Sequence, residues 1–235
     1  MIGVRAGDHP EIGALPLFAD VEAANFERLM RGAYVQTFPP RVRLLEEGDP
    51  ADFLHVLLSG TVELTAAWNR RDTTLAVIRP VSAFILAATI RDAPYLMSAE
   101  TLEKSQVVLL PSEDVRDVFA DDGGFARAVV SELALAYRGA IKTTKDLKLR
   151  TGMERLANFL LRAHAEEGAP ATFELNMEKR RLASLLGMTP ENLSRAIKSL
   201  KPYGVSVDNA LVQIDDHEEL KRFAKPTPLI DDVEG

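Results

Sequence analysis

Residues 179–204 read KRRLASLLGMTPENLSRAIKSLKPYG, and this stretch decides the fold. Leu182, Leu185 and Leu186 give a short helix one apolar face. Gly187 supplies the residue that takes a left-handed turn after it. Thr189 is a good N-cap, and Pro190 then falls at the first helical position, where a missing N–H costs nothing. Leu193, Ile197 and Leu200 form the buried stripe of the second helix. Ala183 stands four residues before Gly187, where a small side chain lets two helices cross closely. Leu193 stands six residues after that glycine. This is helix-turn-helix spacing. The outer face of the second helix carries Glu191, Asn192, Ser194, Arg195 and Lys198, side chains that can reach base edges. A plain helical hairpin with a solvated polar face has the same outline, so the flanks must decide.

The flanks favour a winged variant. A short strand, TFEL, begins at Thr172, and a candidate hairpin, VSVDNALVQI over 205–214, has Asp208-Asn209 at its tip. Six Lys or Arg stand against two Glu between residues 176 and 201. The chain as a whole is acidic, with net charge −7. Positive charge is therefore concentrated where a phosphate backbone would be met. The tail KPTPLIDDVEG, polar and proline-bearing, reads as loose.

Upstream, MERLANFLLRAHAEEG is an amphipathic helix burying Leu156, Phe159, Leu160 and Ala163. Before it comes the clearest periodic signal. Ala126, Val130, Leu133, Tyr137, Ala140, Thr144 and Leu147 alternate spacings of four and three, an a/d seam over about three heptads. A single helix cannot bury this stripe alone; it packs on its own domain or on a second copy. Ser112 is a candidate cap for a short helix that Gly123-Gly124 breaks. From Ala33 to Pro111 the chain shows short apolar runs broken by turn signals: VRLLEE, GDPAD, FLHVLLSG, TVELTAAW, NRRD, TTLAVI. Such runs read as strands of a sandwich or small barrel. Asp20 is the expected cap of an entry helix carrying Phe26, Leu29 and Met30.

Composition narrows the function. The 235 residues include no cysteine, which excludes thiolate metal sites, cysteine-ligated iron–sulfur clusters and cysteine nucleophiles. The opening MIGVRAGDHPEIGALPLF lacks the apolar centre of a signal peptide, and no apolar run approaches ~20 residues. A cytoplasmic protein without a membrane partner is expected. No Walker loop, G-x-G-x-x-G or Ser-His-Asp spacing is present.

Nearly the whole chain resembles the Crp/Fnr superfamily of transcription regulators. The resemblance runs from LLEEGDPADFLHVLLSGTVEL (44–64), similar to that family's strand–turn–strand, to LASLLGMTPENLSRAIKSL (182–200). Glu191, Ser194 and Arg195 match the E-x-x-S-R recognition-helix pattern of the Fnr-like branch. The resemblance implies an α+β protein: a β jelly-roll effector domain over 1–120, a dimerisation helix over 121–148 and a winged helix-turn-helix over 149–235. It implies a homodimer on double-stranded DNA, at a two-fold symmetric operator with TTGA-like half-sites. RNA polymerase would be a further partner of an activator. Glu191, Ser194 and Arg195 would read bases, with a Glu191–Arg195 salt bridge steadying the arginine. Lys179, before the first helix, would meet phosphates together with Thr189, Lys198 and Lys201.

The departures bear on the effector. Family members that bind cyclic AMP hold its phosphate with a Gly-Glu pair and, about ten residues on, an Arg-Ser pair. Here those positions fall near Leu86 and Ala87, and at Met97 with Ser98 kept. An apolar wall offers a phosphodiester no cation, so cyclic AMP is not the expected ligand. The pocket region reads as apolar: Phe84, Ile85, Leu86, Ala87, Tyr95, Leu96 and Met97, with Tyr137 facing it. His55 is the one candidate axial ligand for haem in the barrel, against the simpler reading of a hydrogen-bonded core histidine. The effector is otherwise unknown. Two other readings stand beside the gated regulator. One is a jelly-roll metal enzyme of cupin type, which the single barrel histidine and the lack of H-x-H disfavour. The other is a constitutive DNA-binding dimer with a purely structural barrel.

Overall fold

A computed structural model describes residues 9–69, 71–175 and 177–232 in full, and the backbone of Ile2 and Gly3. The chain forms two compact units, Met1–Leu135 and Ala136–Gly235.

The first unit opens with strand β1 (Ile2–Gly3), a turn of helix α1 (Pro10–Gly13) and helix α2 (Ala23–Gly32). Strands β2 (Tyr34–Phe38), β3 (Arg43–Leu45), β4 (Phe53–Ser59), β5 (Val62–Trp68), β6 (Arg71–Ile78) and β7 (Ser82–Phe84) follow. Helix α3 (Leu86–Arg91) comes next, then β8 (Ser98–Thr101), β9 (Ser105–Pro111) and α4 (Ser112–Asp121). Helix α5 (Gly123–Leu149) begins in this unit and ends in the second.

Two antiparallel sheets make a jelly roll. One has the order β1-β2-β9-β4-β7, the other β3-β8-β5-β6. Leu45, Leu57, Val62, Leu64, Phe84, Tyr95, Ala99 and Val107 close the space between the sheets. The outer face of the first sheet, through Leu54, Val56, Val108 and Leu110, packs on Ile12, Leu29, Met30, Val115, Val118, Phe125 and Val129 of the helices. Strand β4 is thus buried on both faces, which is why FLHVLL is almost continuously apolar.

Several local expectations shift. Helix α2 takes Glu22 as its N-cap, not Asp20. The carboxylate of Asp122 braces this start from outside the helix, accepting from the Glu22 N–H at 2.9 Å and from Asn25 Nδ2 at 2.9 Å. Asp20 contributes its backbone instead: its carbonyl lies where a Cβ on Gly124 would stand. Ser112 is the first residue of α4 and Pro111 its N-cap, with no side-chain capping bond. Arg70, within the expected NRRD turn, lies outside the described residues; Trp68 pairs with Arg71 across it.

The second unit contains the end of α5, α6 (Gly152–Glu166), β10 (Thr172–Glu174), α7 (Lys179–Leu185), α8 (Pro190–Ser199), a 3-10 turn (Lys201–Tyr203), β11 (Val205–Asp208), β12 (Leu211–Ile214), α9 (His217–Ala224) and α10 (Pro228–Asp231). Thr151 and Glu154 start α6 with a reciprocal capping box. Leu156, Leu160, Phe173, Leu182, Leu193, Leu200, Val212 and Leu220 form the core. Strands β10, β12 and β11 make the three-stranded wing. Asp208 pairs with Leu211, so the tip is Asn209-Ala210 and not Asp208-Asn209; Asn209 takes φ +54. His217 begins α9. The tail, expected to be loose, is ordered over 225–232: Thr227 caps α10, and Asp231 is ion-paired. Residues 233–235 lie outside the described residues.

Candidate nucleic-acid interface and effector pocket

The reading motif is built by local chemistry. Helix α7 ends at Leu185, and Gly187 turns left-handed at φ +62. The Met188 N–H donates to the Ala183 carbonyl at 2.9 Å, closing the turn. Thr189 Oγ1 accepts from the Asn192 N–H at 3.2 Å and caps α8. Ala183 and Leu193 are fully buried at the crossing. Glu191, Asn192, Ser194, Arg195, Lys198 and Lys201 are exposed. Lys179 is also exposed, but it is the first residue of α7 rather than a residue before it.

Two details on α8 differ from the expected geometry. Arg195 Nη2 donates to Asn192 Oδ1 and forms no ion pair with Glu191. The Glu191 carboxylate turns to its own backbone N–H and to the Thr189 hydroxyl; these bonds, with a weaker pull from the Arg195 charge, hold its pKa below the usual carboxylate range. Ser194 Oγ donates to the Pro190 carbonyl at 2.9 Å, which leaves its oxygen lone pairs facing outward as acceptors.

Behind the motif stands a residue the sequence reading missed. Arg155 on α6 is 8% exposed. Its Nε donates to the Leu186 carbonyl at 2.8 Å, its Nη2 to the Gly187 carbonyl at 3.4 Å and its Nη1 to the Arg150 carbonyl at 2.6 Å. It fixes the turn of the motif from below. An arginine inside an apolar helix is its only trace in the sequence.

Of the expected effector residues, Leu86, Ala87, Tyr95 and Met97 lie in α3 and the approach to β8, while Tyr137 is exposed on the part of α5 that belongs to the second unit. Leu86 and Ala87 are the first two residues of α3. Leu86 packs on the helical core, while Ala87 is exposed. Tyr95 is buried, and its hydroxyl donates to the Phe53 carbonyl at 3.5 Å. Met97 packs between the sheets just before β8. Leu96, expected in the apolar wall, is 79% exposed and points to solvent. Ile85 takes φ +70, which a β-branched residue adopts only under constraint. Arg116 approaches α3 but is engaged, donating to the Thr89 carbonyl at 3.2 Å and pairing with Asp92 at 3.1 Å. His55 is 3% exposed on the inner face of β4, its ring centroid 5.1 Å from Phe84 and 6.5 Å from Tyr95. Burial pulls its pKa down to about 4, so it is neutral, and its Nδ1 has no hydrogen-bond partner among the described residues.

The line set for dimerisation divides. Leu133 packs on the core of the first unit, next to Val129. Val130, Tyr137 and Leu147 are 62%, 69% and 46% exposed, and Ile141 is exposed beside them. Ala126 is half-buried; Ala140 and Thr144 are exposed, and the Thr144 hydroxyl donates to the Ala140 carbonyl at 2.8 Å. Among the described residues no cluster of three or more His, Cys, Asp or Glu is placed to hold a metal ion, and no helix is long and apolar enough to cross a membrane.

A jelly roll, a long helix and a winged helix-turn-helix in this order define a transcription regulator of the Crp/Fnr type. Residues 35–122 match the family model for the cyclic nucleotide-binding domain, and residues 154–223 that for the Crp-like helix-turn-helix domain. The chain belongs to the Crp/Fnr family. It is 24% identical over 215 residues to the CRP-like cAMP-activated global transcriptional regulator of Mycobacterium tuberculosis, covering 89% of this chain and 96% of that protein. It is 25% identical over 193 residues to the fumarate and nitrate reduction regulatory protein of Escherichia coli, covering 78% of this chain and 76% of that one. Among solved structures, FixK2 of Bradyrhizobium japonicum shares the fold with a TM-score of 0.70 at 22% identity, over 83% of this chain and 98% of that one. The c-di-GMP responsive regulator CLP of Xanthomonas campestris does so with a TM-score of 0.68 at 19% identity, over 82% and 99%.

Proposed function

We propose that the chain is a homodimeric, cytoplasmic, sequence-specific DNA-binding regulator and not an enzyme. The observation that carries this is α8 itself. Its inner face is closed by Leu193 and Leu200, and its outer face offers Glu191, Asn192, Ser194 and Arg195 to a major groove. Arg195 donates to guanine O6 and N7 in a TTGA-like half-site, Glu191 accepts from cytosine N4, and Ser194 meets a neighbouring base. Lys179, Thr189, Lys198 and Lys201 bond phosphates and carry no sequence information. The apolar side chains left exposed on α5, Val130, Tyr137 and Ile141, supply the seam for a second copy. The two reading helices then meet half-sites about one turn of duplex apart, ~34 Å. A polymerase contact is a further partner if the regulator activates.

The effector domain of this reading does not take cyclic AMP. Leu86, Ala87 and Met97 stand at the phosphate-holding positions, and Arg116 is already bonded to Thr89 and Asp92. Those residues do not fit a phosphodiester. Haem does not fit either, because His55 is 3% exposed and packed in the core against Phe84 and Tyr95. An apolar effector near Tyr95 and Met97 suits the side chains present.

Competition binding on operators varied one base at a time tests the reading. Arg195→Ala should lose ~1–3 kcal/mol per half-site and flatten the preference at the guanine, while Lys179→Ala should weaken all sequences alike. An unchanged guanine preference in Arg195→Ala would assign that base to another residue. Calorimetric titration with cyclic AMP should show no binding; a micromolar constant would overturn the effector reading alone.

A further inference from the structure

The residues after α9 return to the joint between α5 and α6. Lys225 turns left-handed at φ +48, Pro226 follows, and Thr227 caps α10 by accepting from the Leu229 N–H. This places Asp231 on the joint, where one carboxylate collects four donors. Its Oδ1 accepts from Arg150 Nη1 at 2.7 Å and Arg162 Nη1 at 2.9 Å. Its Oδ2 accepts from Arg150 Nη2 at 2.6 Å and the Thr227 N–H at 2.7 Å. Arg150 lies between α5 and α6, and also donates to Asp146 Oδ1, one turn back in α5, at 2.9 Å. Arg162 stands on α6. Higher on α5, Lys142 Nζ donates to the Asp232 carbonyl at 2.7 Å and Lys145 Nζ to the Leu229 carbonyl at 3.1 Å. The segment therefore grips the helix on each side of the joint.

The character of this grip is unusual for a structural element. Helix α10 buries no residue, and Leu229 is 71% exposed. What holds it is a cluster of charge-assisted bonds, with the Arg150 and Asp231 side chains only 8% and 10% exposed. Such a segment can leave without opening the apolar core of the unit. The joint it grips leads directly to the reading motif, because Arg155 donates both to the Arg150 carbonyl and to the Leu186 carbonyl of the turn. The segment also lies beyond residue 223, where the match to the Crp-like helix-turn-helix domain ends.

We propose that residues 225–232 are a releasable strap: docked through Asp231, they hold the α5–α6 joint in one geometry, and their release lets the reading motif pivot on the long helix. This goes beyond the operator reading and does not depend on it. The bidentate Arg150 contact is the latch, and Lys142 and Lys145 guide the strap along α5. Anything that competes for Asp231 or for the two lysines, such as salt, sets the joint free.

Hydrogen exchange read by mass spectrometry on the full chain tests this. Asp231→Asn keeps the shape and removes the charge; Lys145→Ala trims a half-buried guide and leaves the latch in place. Asp231→Asn should raise exchange of the joint amides, residues 149–155, by ~10-fold or more and Lys145→Ala by a smaller factor, and both should leave the wing strands β10 to β12 at the rate of the unaltered protein. In the unaltered protein 1 M sodium chloride should raise the same amides, and in Asp231→Asn it should add little. Joint amides exchanging at the unaltered rate in Asp231→Asn would overturn the strap. So would an equal rise across the whole unit in both variants, since that would make residues 225–232 a plain part of the fold.

Discussion

Arg195 is tied to Asn192, three residues before it, and not to Glu191, four before it. The i,i+4 spacing allows the ion pair, but the capping geometry wins. Glu191 lies in the first turn, where its own N–H and the Thr189 hydroxyl draw the carboxylate toward the helix start. The guanidinium is left to the amide oxygen of Asn192.

Asn192 should therefore steady the arginine fork. Asn192→Ala is expected to weaken discrimination at the guanine by about 1 kcal/mol per half-site without touching phosphate contacts. Glu191→Gln should leave the guanine preference intact and change preference at the base opposite its carboxylate. Competition binding on single-base operator variants separates the two. Equal guanine preference in Asn192→Ala and the unaltered protein would show that the bond between them is incidental.

Gly187 takes φ +62, and a Cβ there would stand 2.7 Å from Leu147 Cδ2. The leucine end can swing aside, so the backbone conformation sets most of the cost. Gly187→Ala is expected to destabilise the second unit by about 1 kcal/mol, lowering its Tm by roughly 4–8 °C. Calorimetry with the added variant Leu147→Ala checks the division: the second change should recover little. Full recovery would mean that the crowding dominates.

What the sequence made legible is what local chemistry decides. Thr189, Pro190 and Gly187 announce the cap, the first turn and the left-handed exit of the motif, and each needs only its neighbours. The strand runs of the barrel are similar, since turn residues bound them. What it hid depends on partners far along the chain. The carboxylate that braces the start of α2 is Asp122, which lies 100 residues after Glu22. Asp20 was locally as good, but its backbone is spent against Gly124. Arg155 and Asp231 look like ordinary surface charges until the fold surrounds them with carbonyls and guanidinium groups. Heptad spacing, likewise, cannot tell which apolar positions of α5 face the chain's own core. Leu133 does; Tyr137 and Ile141 do not.

That division predicts separate effects along α5. Tyr137→Glu places like charges together in a seam between two copies, so the protein should sediment as a monomer and lose operator affinity, with the barrel unit melting as before. Leu133→Glu puts a charge against Val129 and the helical core, and should lower the melting temperature of the first unit by several degrees. Analytical ultracentrifugation paired with calorimetry distinguishes them. A Tyr137→Glu protein that remains a dimer would place the seam elsewhere.

His55 should give the barrel its acid limit. The ring is 3% exposed, and burial lowers its pKa from the ordinary 6.5 to about 4, with the Phe53 backbone opposing only in part. Between those values the unfolded chain binds a proton that the folded chain refuses. Stability then rises with pH across this window: the contribution of neutral His55 is complete above about 6.5 and is lost as pH falls toward 4. A shift of this size corresponds to about 3 kcal/mol. His55→Phe removes the titrating group and sets a third ring beside Phe84 and Tyr95. Nδ1 has no partner among the described residues, so the variant gives up only the imidazole's contact with the Phe53 backbone and should stay within about 1 kcal/mol of the unaltered protein at pH 7.5. At pH 5 it should be the more stable of the two. Urea unfolding at both values measures this, since the difference between the two proteins cancels the titration of every group they share. A difference that does not change between pH 7.5 and pH 5 would mean that the imidazole takes up its proton in the folded barrel as easily as in water.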